Sequence, residues 1–347
     1  MKLTRVLTIA MSLLFIPQAW PQGKIVSFDP PGSLATFPQQ ITPAGTIVGY
    51  YFDSNIGSPH GFVRSATGAI TTFDVIGADS SIARETVAFG INPSGDITGY
   101  FFDSNGLAHG FLRTPKDAFT TFDVPGAGSA EGQGTYAFSI NAAGTIEGYY
   151  FSSGFIAHGF VRASDGTITT FDPVGSIDTF PDVVGIDPAG TASGFYVDSS
   201  FFHHGFVRAS NGIINSIDVP GATDTEASMI SDRGIIPGIF WDNNGAHHAF
   251  IRASHGTLST FDISGAGTGS GQGTNARAIN SSGTILGDYV DSFDTSHGFV
   301  RTPAGAVTSF DVADSQGTFP LSITPNGTIT GWYVDASGSI HGFLRLP

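Results

Sequence analysis

From Lys24 onward, hydrophobic and polar residues alternate in short runs separated by glycine-bearing turns. A period of two belongs to strands with one buried face, because successive side chains point to opposite sides. One stretch shows the pattern in full: "TYAFSIN" (135–141), "TIEGYYFS" (145–152), "HGFVRAS" (158–164) and "TITTFDP" (167–173) predict four consecutive strands. The linkers "INPSG", "INAAG", "IDPAG", "INSSG" and "ITPNG" begin with Asn, Asp or Thr and end with Gly. They predict a type I turn closed by a glycine at positive φ, a common hairpin connection.

The four-strand pattern repeats. His-Gly-Phe-(Val/Leu)-Arg occurs at His60, His109, His158, His204, His297 and His341, with the variant "HAFIR" at His248, giving seven copies 44–49 residues apart. Thr/Ser-Phe-Asp occurs at Asp29, Asp74, Asp123, Asp172, Asp262 and Asp311, with "SID" at Asp218. Four short strands in a period of roughly 40–50 residues are the signature of a propeller blade. The expectation is an all-β, seven-bladed β-propeller with four antiparallel strands per blade.

The ends bear on closure. An Asp follows the motif His by 14 residues in six copies, whereas only six residues follow His341. The spare "KIVSFDP" lies at the start of the repeat region, ahead of any first-blade strand. It is expected to complete the last blade and close the ring, leaving no terminal edge exposed.

The opening residues read as a leader. Lys2 and Arg5 precede an apolar run from Val6 to Ile16 and a polar stretch broken by proline, so residues 1–23 are expected to be a signal peptide and 24–347 a single domain. The run is too short to span a bilayer. Export to the periplasm or beyond follows, without membrane insertion. The sequence has no Cys, so closure rather than disulfides must hold the fold.

The formal charge of −15 becomes about −17 once Lys2 and Arg5 are removed (12 bases against 29 carboxylates), which disfavours nucleic acid and anionic lipid as partners. Gly at 47 of 347 residues and Phe at 30, with only 12 % charged residues, indicate a chain dominated by turns and aromatic packing. A monomer is expected.

The chain resembles the extracellular repeat proteins named for a His-Ala-Phe motif, the HAF-repeat family. The resemblance covers residues 24–347 and rests on "AHGFLR", "AHGFVR" and "HHAFIR" together with "INPSGDITGY" and "INSSGTILGD". Six of the seven copies read Gly where the family name has Ala. The resemblance implies export and repetition, and no catalytic residue.

"FDSNGLAHGFLR" (102–113) sets Asp and His at fixed spacing, a combination that metal and acid/base sites favour. A hairpin centred near Lys116 puts Arg113 opposite Phe119, Phe111 opposite Thr121 and His109 opposite Asp123; one centred on Gly106 puts Asp103 opposite His109. Because a catalytic group is needed once and a structural one in every blade, the seven His and their partners Asp29, Asp74, Asp123, Asp172, Asp218, Asp262 and Asp311 read as structural ties. Ser152 stands in blade three where the others carry Asp53, Asp103, Asp198, Asp242, Asp291 and Asp335, so that carboxylate is replaceable.

The seven motif Arg and the Tyr-Tyr-Phe runs read as packing, and His203, His247 and His255 as surface or packing residues. "DSNG" and "DNNG" resemble the start of a calcium loop, but apart from Asp294 no second carboxylate follows at a useful distance. No cofactor and no metal is therefore expected.

Function is sought where the repeat breaks. The inter-blade loops are unequal, from the Gly-rich "VPGAGSAEGQGTYAF" and "ISGAGTGSGQGTNAR" to the charged "GADSSIARETVAF". They and the loops between second and third strands share one face, the expected binding mouth. The candidates there are Arg84, Glu85, Glu131, Gln133, Asp182, Glu226, Gln272, Asn275 and Arg277. The Gly-rich loops lack the Lys-Ser/Thr pair and helix of a phosphate loop, and G-x-S-x-G and H-E-x-x-H do not occur. Two classes remain: a binding or scaffold module for a glycan, peptide or surface partner, and an enzyme of the polysaccharide lyase, hydrolase or lactonase kind with its site at the same mouth.

Overall fold

The computed structural model describes residues 23–53, 58–75 and 85–347, apart from the side chains at 183 and 184. The expected leader, except for Gly23, and the candidate Arg84 lie outside the described residues. Those residues form 28 strands and no helix. The fold is all-β, as the period-two pattern requires.

The strands pair in consecutive antiparallel sets of four, called units here. Unit three is the reference: Gly134–Ile140, Ile146–Phe151, Ala157–Arg162 and Ile168–Phe171 pair in that order. Unit one spans 33–73, unit two 85–122, unit four 176–217, unit five 224–261 and unit six 273–310. Unit seven contains Gly317–Ile323, Ile329–Val334 and Ile340–Arg345, and the strand Ile25–Phe28 pairs antiparallel with the last of these, Ile25 opposite Arg345 and Phe28 opposite Gly342. Single parallel bridges such as Ala108–Gly134, Ser296–Gly317 and Ile340–Ala35 join neighbouring units. The glycine closing each first hairpin has positive φ, from 72° at Gly234 to 87° at Gly327.

The core lies between units. Each His-(Gly/Ala)-Phe motif buries its Phe completely, at Phe62, Phe111, Phe160, Phe206, Phe250, Phe299 and Phe343. The surrounding clusters draw on two units: Val48 of unit one packs with Ile91, Ile97 and Phe111 of unit two. Phe28 packs with Ile41, Ile47 and Phe62 of unit one. The motif glycine makes room for the fourth-strand aromatic, since a Cβ on Gly110 would lie 2.6 Å from the Phe122 ring.

The expected pairing of Arg113 with Phe119 and Phe111 with Thr121 is present. The other hairpin differs, because Phe101 rather than Asp103 stands opposite His109. Asp103 belongs to the turn: its Oδ1 accepts from the Asn105 and Leu107 amides at 2.8 and 2.9 Å. Local hydrogen bonding by a short carboxylate shifts it out of the ladder.

Candidate functional site

The repeated residues are engaged with one another. In all seven units the motif His Nδ1 lies 2.7–3.0 Å from an Asp, with His341 reaching Asp29 across the chain termini. A second-strand aromatic lies beside each of these imidazoles, as Phe101 does at 5.1 Å from His109. The guanidinium of the motif Arg lies over the fourth-strand Phe of the preceding unit: Arg64 on Phe28, Arg113 on Phe73, Arg162 on Phe122, Arg208 on Phe171, Arg301 on Phe261 and Arg345 on Phe310, at 4.6–4.9 Å. Arg252 is the exception in this set, and the aligned residue before it is Ile217 of "SID".

The first strands carry the variation. After a buried Thr present in every unit, the next residue is Phe37, Val87, Tyr136, Phe180, Glu226, Asn275 or Phe319 in units one to seven. Two residues further on stand Gln39, Phe89, Phe138, Asp182, Ser228, Arg277 and Leu321. In units two, three and six the register shift falls on Phe89, Phe138 and Arg277, which leave the ladder as bulges.

These positions divide the molecule into two arcs. Units seven, one, two, three and four each place an aromatic at one or both of these positions, and aromatic side chains touch across unit boundaries: Trp332 meets Phe37, Tyr50 meets Phe89, Phe89 meets Phe138, and Tyr149 meets Phe180. Burial raises the hydroxyl pKa of Tyr149 to about 12 and that of Tyr100 still further. Here the Tyr hydroxyls are neutral.

From Asp182 of unit four through units five and six the same positions are polar. Asp288, 1 % exposed, pairs with Arg277 Nε and accepts from Asn275 Nδ2 at 2.8 Å, and Asn275 Oδ1 meets His247 Nδ1 at 2.8 Å. His247 packs edge-on against Trp241. In the neighbouring unit, His203 Nδ1 lies 2.7 Å from Glu226 Oε1 and its ring stacks on Phe195. Asp288 raises the Arg277 pKa first, burial opposes it, and Asp182 and Glu226 add to the rise. The hydrogen bond to Glu226 likewise raises His203, against burial. Arg277 is 38 % and His203 36 % exposed, so the arc keeps solvent-facing donors beside fixed acceptors.

The candidates inferred from the broken repeat separate into two groups. Asp182, Glu226, Asn275 and Arg277 come together in this arc. Gln133 and Gln272 brace their own loops, accepting from the Ala130 and Gly269 amides, and Gln272 also donates to Asp294. Glu131 lies over Gly106, and Glu85 stands opposite Phe102 near Tyr100 and Tyr136. Sequence reasoning missed Asp288, His203 and His247. The signal was present: "HHGF" and "HHAF" double the His in units four and five, the same boundaries at which the next unit replaces an aromatic with Glu226 or Asn275.

A cavity also lies among the turns of the first hairpins. It has a volume of about 350 Å³ and draws lining residues from all seven units, including Ile41, Ile91, Asn141, Pro188, Met229, Asn280 and Ile323. Hydrogen bonds cross between units beside it, from the Ile91 amide to Gln40, from Asn141 to Asp187 O, from Asn280 to Thr324 O and from the Ile41 amide to Ser322. Among the described residues no group of three or more His, Asp or Glu is disposed to hold a metal ion, and no helix is long and apolar enough to cross a membrane.

No family model and no curated protein matches the chain. Among solved structures it is similar to puromycin hydrolase, with 12 % identity and a TM-score of 0.60 over 91 % of this chain and 54 % of that one. It is also similar to the BP39L lectin of Burkholderia pseudomallei, with 12 % identity and a TM-score of 0.52 over 91 % of this chain and 99 % of that one. The chain thus spans about half the length of puromycin hydrolase. At this identity the likeness is one of fold, and it identifies a β-propeller.

Proposed function

We propose that the chain is an exported, monomeric, seven-bladed propeller of the HAF-repeat kind that binds a glycan through the polar arc of units four to six. The seven units are its blades, and the strand Ile25–Phe28 closes the ring. Its pairing with Ile340–Arg345, the His341–Asp29 bond and the Ile41–Ser322 bond support closure. The His–Asp pairs are ties within this scaffold.

The observation that carries the binding reading is the solvent-facing set Arg277, His203 and Glu226 beside Trp241 and Phe195. A sugar ring offers hydroxyls to such fixed acceptors and donors and an apolar C–H face to aromatic side chains. A lectin and a hydrolase share the fold, so the site and not the fold decides. A panel of neutral, acidic and amino sugars read by thermal shift and calorimetry tests the proposal. Binding that falls at least tenfold in Glu226→Gln or Asn275→Ala, with folding intact, supports it; a panel without a binder, or binding untouched by both variants, overturns it.

A further inference from the structure

We infer that unit three carries a separate hydrolytic site, in which Ser152, His158 and Asp172 act as nucleophile, base and orienting acid toward a small neutral ester. In the six other units a carboxylate approaches His Nε2 at 3.3–3.8 Å: Asp53, Asp103, Asp198, Asp242, Asp291 and Asp335. Each of those imidazoles thus stands between two carboxylates. Unit three has Ser152 there, with Oγ 3.1 Å from His158 Nε2, while His158 Nδ1 is 2.8 Å from Asp172 Oδ2.

That replacement changes the role of the His. An ionised carboxylate only accepts, so the proton resides on Nδ1 and Nε2 offers a lone pair to the Ser152 hydroxyl, which has the Ile156 carbonyl at 3.3 Å as its other acceptor and turns from it to the nearer imidazole to react. Asp172 is itself held, because Thr179 Oγ1 donates to its other oxygen at 2.8 Å. Hydroxyl, imidazole and braced carboxylate in this order are the parts of an activated nucleophile.

The turn supplies a second feature. In units two, four, five, six and seven, two turn amides donate to the Asp Oδ1 at 2.8–3.0 Å, as those of Asn105 and Leu107 do to Asp103. Unit three keeps the same turn, with Ser152 N bonded to Ile156 O and Phe155 N to Ser152 O. The corresponding amides belong to Gly154 and Ile156, and Ser152 has no carboxylate to receive them. Paired backbone donors beside a nucleophile stabilise the oxyanion of acyl transfer.

The surroundings indicate the substrate. A pocket of about 390 Å³ is lined by His158 and Asp172 together with Ile156, Pro173, Ser176 and Ile177. Phe155 stands 54 % exposed nearby, with φ 61° where units two, five and seven place Gly106, Gly245 and Gly338. An aromatic side chain in the left-handed region is strained. The lining suits a short apolar acyl or aryl group, and Asp172 disfavours an anionic one.

The step balances. Ser152 Oγ bonds to the ester carbonyl carbon as its proton passes to His158 Nε2; the C–O bond to the alcohol breaks, and the alkoxide leaves with that proton. Water then attacks the acyl group, giving its proton to His158, and the acid departs as Ser152 Oγ regains a proton. The overall reaction is ester plus water to acid plus alcohol. This site is independent of glycan binding by the polar arc.

The test uses the mature chain with an alkyl fluorophosphonate, adduct mapping by peptide mass, and hydrolysis of p-nitrophenyl acetate and butyrate. Modification at Ser152, with hydrolysis at least 100-fold above that of Ser152→Ala, is expected. Ser152→Asp restores the arrangement of the other units, so it should fold at least as stably as the parent and lose both labelling and hydrolysis. An unlabelled Ser152, or hydrolysis surviving in a folded Ser152→Asp protein, overturns the assignment.

Discussion

The aromatic arc and the polar arc are built on the same backbone positions, yet they hold the molecule together differently. In units two and three Tyr100, Tyr136, Phe89 and Phe138 interlock ring against ring, so each contact has several substitutes. In unit six Asn275, Arg277 and Asp288 satisfy one another and His247, with Asp288 only 1 % exposed. Packing of rings degrades gradually when a member is lost, whereas a buried charge that loses its partner has no substitute. Divergence of the repeat at this level therefore required paired changes: His203 with Glu226, His247 with Asn275, Arg277 with Asp288.

Breaking the unit-six network should give the largest effect. Arg277→Ala leaves the Asp288 carboxylate, 1 % exposed, without its cation and is expected to cost about 3–5 kcal/mol. Installing the unit-three set as Asn275→Tyr, Arg277→Phe and Asp288→Tyr together should recover stability to within about 1 kcal/mol of the parent, because a packed apolar replacement is tolerated where a half-network is not. Urea titration of the single and triple variants decides this; a triple variant as unstable as Arg277→Ala would mean that the two arcs are not interchangeable.

The aromatic arc should respond less sharply. Phe89→Ala removes a half-buried ring that stacks on Tyr100 and meets Phe138 edge-on, and about 2–3 kcal/mol is expected. The same titration tests it, and a cost equal to or above that of Arg277→Ala would remove the distinction between graded packing and obligate pairing.

A repair should give a smaller effect of opposite sign. Unit four has Ile217 where the other units have a Phe, and Arg252 follows it without the ring contact found for Arg64, Arg113, Arg162, Arg208, Arg301 and Arg345. Gly205 leaves room, since its added Cβ would already lie 3.2 Å from Ile217 Cβ. Ile217→Phe is expected to gain about 0.5–1 kcal/mol through the restored cation–π contact. A loss of stability on calorimetry would show that unit four has repacked around the smaller residue.

Much of this scaffold can be read from the chain, because a repeat states the same sentence seven times and copies correct one another. The 14-residue interval from His to Asp and the pairing of Arg113 with Phe119 follow from hairpin geometry alone. Asp103 was misplaced because its side chain bonds its own turn, a local preference that overrides ladder counting. The candidate site was half legible: Arg277 stood out as a charge among aromatics, but its partner Asp288 hides in "LGDYV" on a different strand. Ser152 showed itself as a lost carboxylate, and only the 3.1 Å approach to His158 shows what the loss leaves.

The smallest expected effect is a pH dependence that weights the two arcs unequally. Burial opposes charge on His204, His297 and His341, but the flanking carboxylates outweigh it and their pKa values are raised; for His109 the hydrogen bond it donates to Asp123 leads. A raised folded pKa gives stability that is complete below the unfolded value of about 6.5 and lost as pH rises through the folded value. Asp335 works in the other direction: the Ser337 hydroxyl leads in lowering it to about 2, so its contribution holds above the usual carboxylate range and is lost as pH falls toward that figure. Between these limits, from about pH 4 to 6.5, the ties contribute most. His203, raised by Glu226, has no counterpart in units one to three, so unit four loses two such contributions as pH rises. The expected result is a melting temperature that declines above about pH 6.5, with amide protection lost first around units four and five. Histidine titrations below about pH 6 in the folded protein, or exchange that changes equally round the molecule, would show that the charged form is not what these ties hold.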